Sequence, residues 1–303
     1  MFITTIQRYV IFINKLFLMK KFLISETQYS KVRKYILESK LRSYVFDWDD
    51  NILRMPTKIH MDKKVDGQWV PLDVSTEEFA HVRTNPDYRL KSNSFLDFET
   101  SEAFLRDAEQ AIHHQKFSPS YKKFIEALTY ASSFAINTAR GHKPEVIKAG
   151  VKLFIKMVLS REEKKMMLTN IQKELPSSLT KGLNPEQLLD LYLDERGEYY
   201  PVSSEEFGQR FGIEVTGGAS NPEHAKQIAI EHFVKKLLDG VKNNIVNGKY
   251  KKVSLGFSDD DMKNVKAVQK FIDEQLNKMY PEVHFVIYDT SLGGNKKMVI
   301  EKE

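Results

Sequence analysis

Two aspartates, in the stretch Asp47-Trp48-Asp49, stand directly behind a short apolar run, Ser43-Tyr44-Val45-Phe46. The run reads as a buried strand, and carboxylates at i and i+2 where a strand ends can enter one crevice together. Two such groups side by side do not both stay ionised cheaply unless a cation lies between them or one holds a proton. Oxygen ligands without softer partners suit Mg²⁺, which keeps several of its waters. Taken alone, the pattern fits a solvated polar loop better, since a short motif is a hypothesis until its context supports it.

The context is a set of further groups behind other strand candidates. The apolar run over residues 251–257 closes on Ser258-Asp259-Asp260-Asp261, acids that would complete an oxygen-ligand set on one metal. The run Ser133–Thr138 ends in Thr138-Ala139-Arg140-Gly141-His142, where a hydroxyl and free backbone N–H groups can hold a phosphate oxygen. Lys226 lies near the start of a helical segment that follows Asn221-Pro222, placed to reach an anion at the strand ends.

The elements that must position these residues alternate along the chain. Strands are expected at residues 43–46, 133–138, 199–202, 251–257 and 283–288. Helices are expected at residues 102–113, 121–130, 225–238 and 264–276. Residues 144–196 are largely helical by period, punctuated by Pro176-Ser177-Ser178 and Asn184-Pro185. Lys58 to Ser75 reads as a hairpin about Asp66-Gly67, a dipeptide whose residues tolerate positive φ. Apart from the expected helix at 102–113, residues 76–115 are polar and mixed. Strands alternating with helices argue for an α/β fold with a doubly wound parallel sheet, in which ligands sit at the carboxyl ends of the strands.

The chain has 303 residues, 41% hydrophobic and 29% charged, enough for two units of roughly 150 residues or one core with large insertions. Disorder, collagen and disulfide-scaffold classes are excluded by that balance. With no cysteine there is no disulfide, thiolate metal site, iron–sulfur cluster or cysteine nucleophile, which fits a reducing, cytoplasmic setting. The net charge of +5 tolerates phosphorylated ligands, but the basic pairs Lys164-Lys165, Lys235-Lys236 and Lys251-Lys252 are scattered rather than gathered into a nucleic-acid track. Residues 1–22 are apolar in bulk but interrupted by Arg8 and Lys15. They read as an amphipathic surface helix, a helix packed on the domain, or an extension ahead of Met19, and not as a membrane span or signal peptide.

With these motifs in hand, the chain resembles the haloacid dehalogenase-like hydrolase superfamily, in its phosphatase form. Tyr44-Val45-Phe46-Asp47-Trp48-Asp49-Asp50-Asn51 is similar to the first motif, with Asn51 where Thr or Val is commoner. Ala135-Ile136-Asn137-Thr138 is similar to the second, Lys226 to the third, and Val253 to Asp261 to the fourth, all in the family's order over roughly residues 43 to 290. The resemblance implies a Rossmannoid core over residues 43–56 and 120–303, carrying a helical insert at 144–196. It implies a hairpin-and-helix cap at 57–119 behind an amino-terminal helical leader at 1–42.

It further implies a Mg²⁺-dependent phosphatase hydrolysing a small phosphate monoester through an aspartyl-phosphate. Asp47 would be the nucleophile, Asp49 the acid and base, and Thr138 and Lys226 the phosphate-binding groups. The metal would be held by Asp47, the Asp49 backbone carbonyl, Asp259 and Asp260, with Asp261 as the alternative register. Trp69, His81, Arg83 and Arg89 of the first insert are within reach of a substrate in principle, although packing or surface roles are the plainer reading of Trp69 and the arginines. Two alternatives remain open at this point: a nucleic-acid 3′-phosphatase on the same core, and a non-catalytic interaction protein of the same fold.

Overall fold

Five apolar segments line up as parallel strands because each is covered on both faces, so each is a near-continuous buried run rather than an alternating one. They are β1 (Lys40–Phe46), β5 (Ser133–Thr138), β6 (Gly197–Pro201), β7 (Lys252–Asp259) and β8 (Val283–Asp289). The computed structural model describes residues 40–98, 100–214, 222–246, 252–291 and 296–299. The sheet order is β6-β5-β1-β7-β8-β9, with β9 (Lys296–Val299) antiparallel to β8 at the edge. The helical leader expected at 1–42 lies outside the described residues up to 39, and its last three residues belong to β1, which begins at Lys40.

From β1 the chain steps outward to β5 and β6, then returns across the sheet to β7 and β8 on the other side of β1. The winding direction therefore reverses between β1 and β7. In such a sheet the carboxyl ends of those two strands diverge into a crevice, the place where doubly wound folds bind ligands.

Helices cover both faces. In chain order they are α1 (Thr76–Val82), α2 (Ser101–His113), α3 (Tyr121–Thr129), α4 (Pro144–Val158), α5 (Arg161–Glu174) and the single turn α6 (Ser177–Thr180). There follow α7 (Pro185–Glu195), α8 (Glu205–Phe211), α9 (Pro222–Val246), α10 (Met262–Phe271) and the short α11 (Asn277–Met279). A wider π turn, Ile272–Leu276, joins the last two. Strand alternation sorts the core: Phe46, Phe134 and Ile136 point to one face with Phe124, Phe154 and Tyr192. Val45, Ala135, Leu255 and Phe257 point to the other with Phe233 and Val268. No helix among the described residues is long and apolar enough to cross a membrane.

The first inserted stretch builds a second, three-stranded antiparallel sheet in the order β3-β2-β4, from β2 (Ile59–Val65), β3 (Gln68–Val74) and β4 (Tyr88–Leu90). Asp66 and Gly67 take φ of 50° and 82°, the positive pair that a two-residue hairpin turn requires. This sheet has a small core of its own around Ile59, Met61 and Val74, with Phe79, Phe95 and Phe98 packed against it. Helix α2 belongs elsewhere. It buries Phe104, Ala108 and Ala111 in the main core, and Phe104 presses so closely on α4 that a Cβ at Gly150 would lie 2.6 Å from its ring.

Candidate active site

Asp47 is the first residue beyond β1, and its N–H extends the ladder by donating to the Ser258 carbonyl at 3.0 Å. Asp259 ends β7 and is fully buried, with Asp260 one residue further on. Lys226, in the first turns of α9, is 2% exposed and puts its Nζ 2.7 Å from Asp259 Oδ2 and 3.2 Å from Asp47 Oδ1. Carboxylates on either side of the switch point thus share one ammonium. Asn137 holds the helix bearing Lys226 against β5 by donating to the Lys226 carbonyl at 3.0 Å.

One oxygen each from Asp47, Asp259 and Asp260 lies within 4.8 Å of the others, close enough to hold a single metal ion. Asp259 is fixed by Asn264 Nδ2, at 3.1 and 3.2 Å from its two oxygens, and by the Asp261 N–H at 2.9 Å. Burial, with Asp259 and Asp49 nearby, pushes the Asp47 carboxyl up to about 8 although Lys226 pulls it down. Burial and the neighbouring Asp259 and Asp47 push Asp260 up to about 9. Burial disfavours the charged form of Lys226, but Asp259 and Asp47 more than offset it and carry the ammonium above its ordinary value. Three carboxylates facing one ammonium form a site short of positive charge. Asp47 Oδ1 is buried without a hydrogen-bond donor of good geometry, and a hard divalent cation answers both deficits.

Asp261 has a different task. Its carboxylate caps α10 by accepting from the Lys263 N–H at 2.9 Å, and it pairs with Arg83 at 2.7 Å. Aspartate ahead of a helix is a strong N-cap signal, and that signal was present in the sequence. Asp49 also turns away from the three-carboxylate group. Arg140 Nε and Nη2 donate to its two oxygens, each at 2.8 Å. The guanidinium is 1% exposed, lies against the rings of Phe98 and Phe104, and donates to Thr57 Oγ1 at 2.9 Å, which in turn donates to Asp107 at 2.7 Å. The side chain of Asp49 is therefore not a member of the three-carboxylate group.

Thr138 ends β5, the strand beside β1, and is buried with its Oγ1 3.4 Å from the Arg140 N–H. Two residues beyond Arg140, His142 is held neutral: burial and then the Arg140 charge push its imidazole down to about 4. It donates from Nε2 to the Thr100 carbonyl at 3.0 Å.

Of the expected site residues, Asp47, Lys226, Asp259 and Asp260 meet at the β1–β7 crevice. Thr138 stands at the end of the next strand, and Asp49 is drawn toward Arg140. Arg140, Asn51 and Ser258 were not singled out from the sequence as site residues, because their partners lie 83 to 207 residues away. Trp48, between the two aspartates, is fully buried against Phe104, which anchors the loop that presents them. No protein-family model, curated protein or solved structure matches this chain.

Proposed function

We propose that this protein is a Mg²⁺-dependent phosphatase of the haloacid dehalogenase-like type, acting on a small phosphate monoester through an aspartyl-phosphate. The observation that carries the reading is the meeting of Asp47, Asp259, Asp260 and Lys226 at the switch point of a parallel sheet. That is the geometry in which an anionic, transferring phosphoryl group finds a nucleophile and counter-charge together.

In this mechanism a carboxylate oxygen of Asp47 attacks phosphorus as the ester oxygen leaves, and water then hydrolyses the acyl phosphate, so one hard step becomes two easier ones. Asp49 would handle the protons, giving one to the leaving oxygen and later taking one from the attacking water, once its carboxylate is released from Arg140. In the structure Arg140 occupies both oxygens of the Asp49 carboxylate by a two-pronged contact, so that release precedes the proton transfer. Lys226 and the Thr138 hydroxyl face the phosphoryl oxygens. Asp47, Asp259, Asp260 and the Asp49 carbonyl would hold Mg²⁺, which when bound supplies charge stabilisation to the transferring oxygens.

Residues 57–98 act as the cap. Helix α1 is tied at both ends to loops that carry the acids: Thr76 donates to Asp50, and Arg83 pairs with Asp261 at 2.7 Å. A helix fastened across the crevice in this way supports a substrate small enough to be enclosed, and argues against a polynucleotide. Two buried carboxyl groups and a third partly buried one gathered around a single lysine favour a ligand-binding role over a non-catalytic one, because burying charge is costly.

Release of phosphate from a generic aryl phosphate tests the reading. Turnover that requires Mg²⁺ and disappears in Asp47→Asn supports it. Turnover that survives in Asp47→Asn removes the aspartyl-phosphate route.

A further inference from the structure

Asn51 is fully buried four residues beyond Asp47. Its amide nitrogen donates to the Ser258 carbonyl at 2.6 Å and to the Ser258 hydroxyl at 2.8 Å, and that hydroxyl also faces Asn51 Oδ1 at 2.9 Å. The same Ser258 carbonyl accepts the Asp47 N–H. Because Ser258 immediately precedes Asp259, a single carbonyl joins the loop carrying one acid to the strand carrying the other. Ser120 completes the cluster: its hydroxyl lies 2.8 Å from Ser258 Oγ, and its N–H donates to the Asn51 carbonyl at 2.9 Å. It stands just ahead of α3, at the end of the loop that joins α2 to α3.

The cluster sits where the two acids face each other across the ends of β1 and β7 with Lys226 between them. A backbone bond there runs from Asp47 N–H to the Ser258 carbonyl, and the side-chain cluster reinforces it. A buried polar cluster is satisfied in few arrangements, and loss of one member leaves the others without partners in a low-dielectric setting. The cluster thereby fixes one separation of the two strand ends.

We infer that Asn51 is a positioning residue that sets the Asp47–Asp259 separation, and through it the affinity of the three-carboxylate group for a divalent cation; this rests on the metal-centre reading above. Asn51 reaches the acids only through Ser258 and the backbone, so its effect is on geometry and not on charge. Ser120 extends the same control to the start of α3.

The test titrates the full-length protein with Mn²⁺, followed by the electron paramagnetic resonance of the free ion. Tb³⁺ luminescence lifetimes in H₂O and D₂O count the waters left on the bound ion. Asn51→Ala is expected to weaken Mn²⁺ binding by about 10–100-fold, the usual effect of removing a group that orients a metal ligand, and to leave one more water on Tb³⁺. Ser120→Ala is expected to weaken binding by a smaller factor, and Ser120→Thr, which keeps the hydroxyl, to bind as wild type. Val268→Ala, a core truncation under α10, is expected to lose stability without losing affinity, separating positioning from general loosening.

Asn51→Ala and Ser120→Ala proteins that both bind Mn²⁺ as wild type overturn the inference. If Asn51→Ala does not fold, the Ser120 pair decides: equal affinity in its two variants overturns it. Wild type that binds no Mn²⁺, or Asp259→Asn that binds as tightly as wild type, overturns the metal-centre reading and this inference with it.

Discussion

The two β-sheets of this molecule are built on opposite principles. In the parallel sheet, every residue of β5 and all of β7 after its first residue are buried, and helices close both faces. In the inserted antiparallel sheet, the last three residues of β2 and most of β3 are exposed, and its own buried apolar residues are Ile59, Met61 and Val74. The inserted sheet is held together by charge and stacking: His60 lies between Asp73 and Asp97, and Arg89 pairs with Asp62 while lying 4.4 Å from the Trp69 ring. Groups that must stay within tenths of an ångström belong on the first kind of scaffold, and a sheet with few buried contacts, such as the second, is the less stable of the two locally. The acids sit on the first; the arginine that reaches across to Asp261 sits on the second.

The comparison is tested most severely at Asp47. Asp47→Asn is expected to lower turnover of a phosphate ester by roughly 10⁴-fold or more, as for other nucleophile deletions, while leaving the circular dichroism spectrum and oligomeric state unchanged. Loss of activity with loss of fold would instead mean that the acid serves the sheet.

Next in size is a pair of aromatic truncations. Phe104 is fully buried in the main core, and Phe104→Ala should cost about 3–5 kcal/mol in denaturant unfolding. Phe79, half-buried over the inserted sheet, should cost much less globally and act mainly on amide exchange of residues 59–98. Equal global losses would make the two sheets one cooperative unit.

The pH dependence of the metal-free protein has a definite sign. Asp47 and Asp260 are raised to about 8 and 9 from an ordinary carboxyl near 4. Their contribution to stability is complete below pH 4, declines as pH rises from there, and is gone once pH has passed through 8 to 9, where each buried group is forced to ionise. Thermal unfolding without metal should therefore fall over that window, and Mg²⁺ should raise the midpoint more at pH 9 than at pH 6. A Mg²⁺ effect independent of pH would contradict the shared site.

Smaller effects belong to the inserted sheet. Arg83→Gln removes its partly exposed pair with Asp261, a contact worth at most about 1 kcal/mol. It should raise exchange of α1 amides and shift KM several-fold with little change in kcat. Smallest is His60, raised above its ordinary 6.5 mainly by its hydrogen bond to Asp73 and further by Asp97. Its stabilisation is complete below pH 6.5 and is lost as pH rises through the higher folded value. Proton exchange at His60, followed by NMR, should titrate together with protection of β2 and not with the parallel sheet.

Much of the parallel sheet was legible because its strands are apolar runs bounded by turn residues and acids. Ser133 to Thr138 is such a run, and the Asp66-Gly67 turn announces its hairpin. The shorter polar elements were not. Helix α1 lies in a stretch of mixed polar sequence, although Ser75 and Glu78 form a capping box whose spacing is written in the chain. β4, three residues long, exists because β2 offers it a ladder partner, and no local pattern announces that. At the site, the acids were found by type and position, but their orientation was not. The i, i+2 spacing suggested that Asp47 and Asp49 enter one crevice, whereas Arg140 draws the Asp49 carboxylate aside. Likewise the Asn51–Ser258 contact joins residues 207 apart, and pairs at that separation become visible only once the sheet order is known.

The central claim is that Asp47 becomes covalently phosphorylated. Acid quenching of the Mg²⁺-loaded protein during turnover of an aryl phosphate, followed by peptide mass spectrometry, tests it directly. The account predicts a phosphoryl group on Asp47 that is destroyed by hydroxylamine and absent in Asp47→Asn. Turnover with an unmodified Asp47, or with the phosphoryl group on another residue, would contradict it.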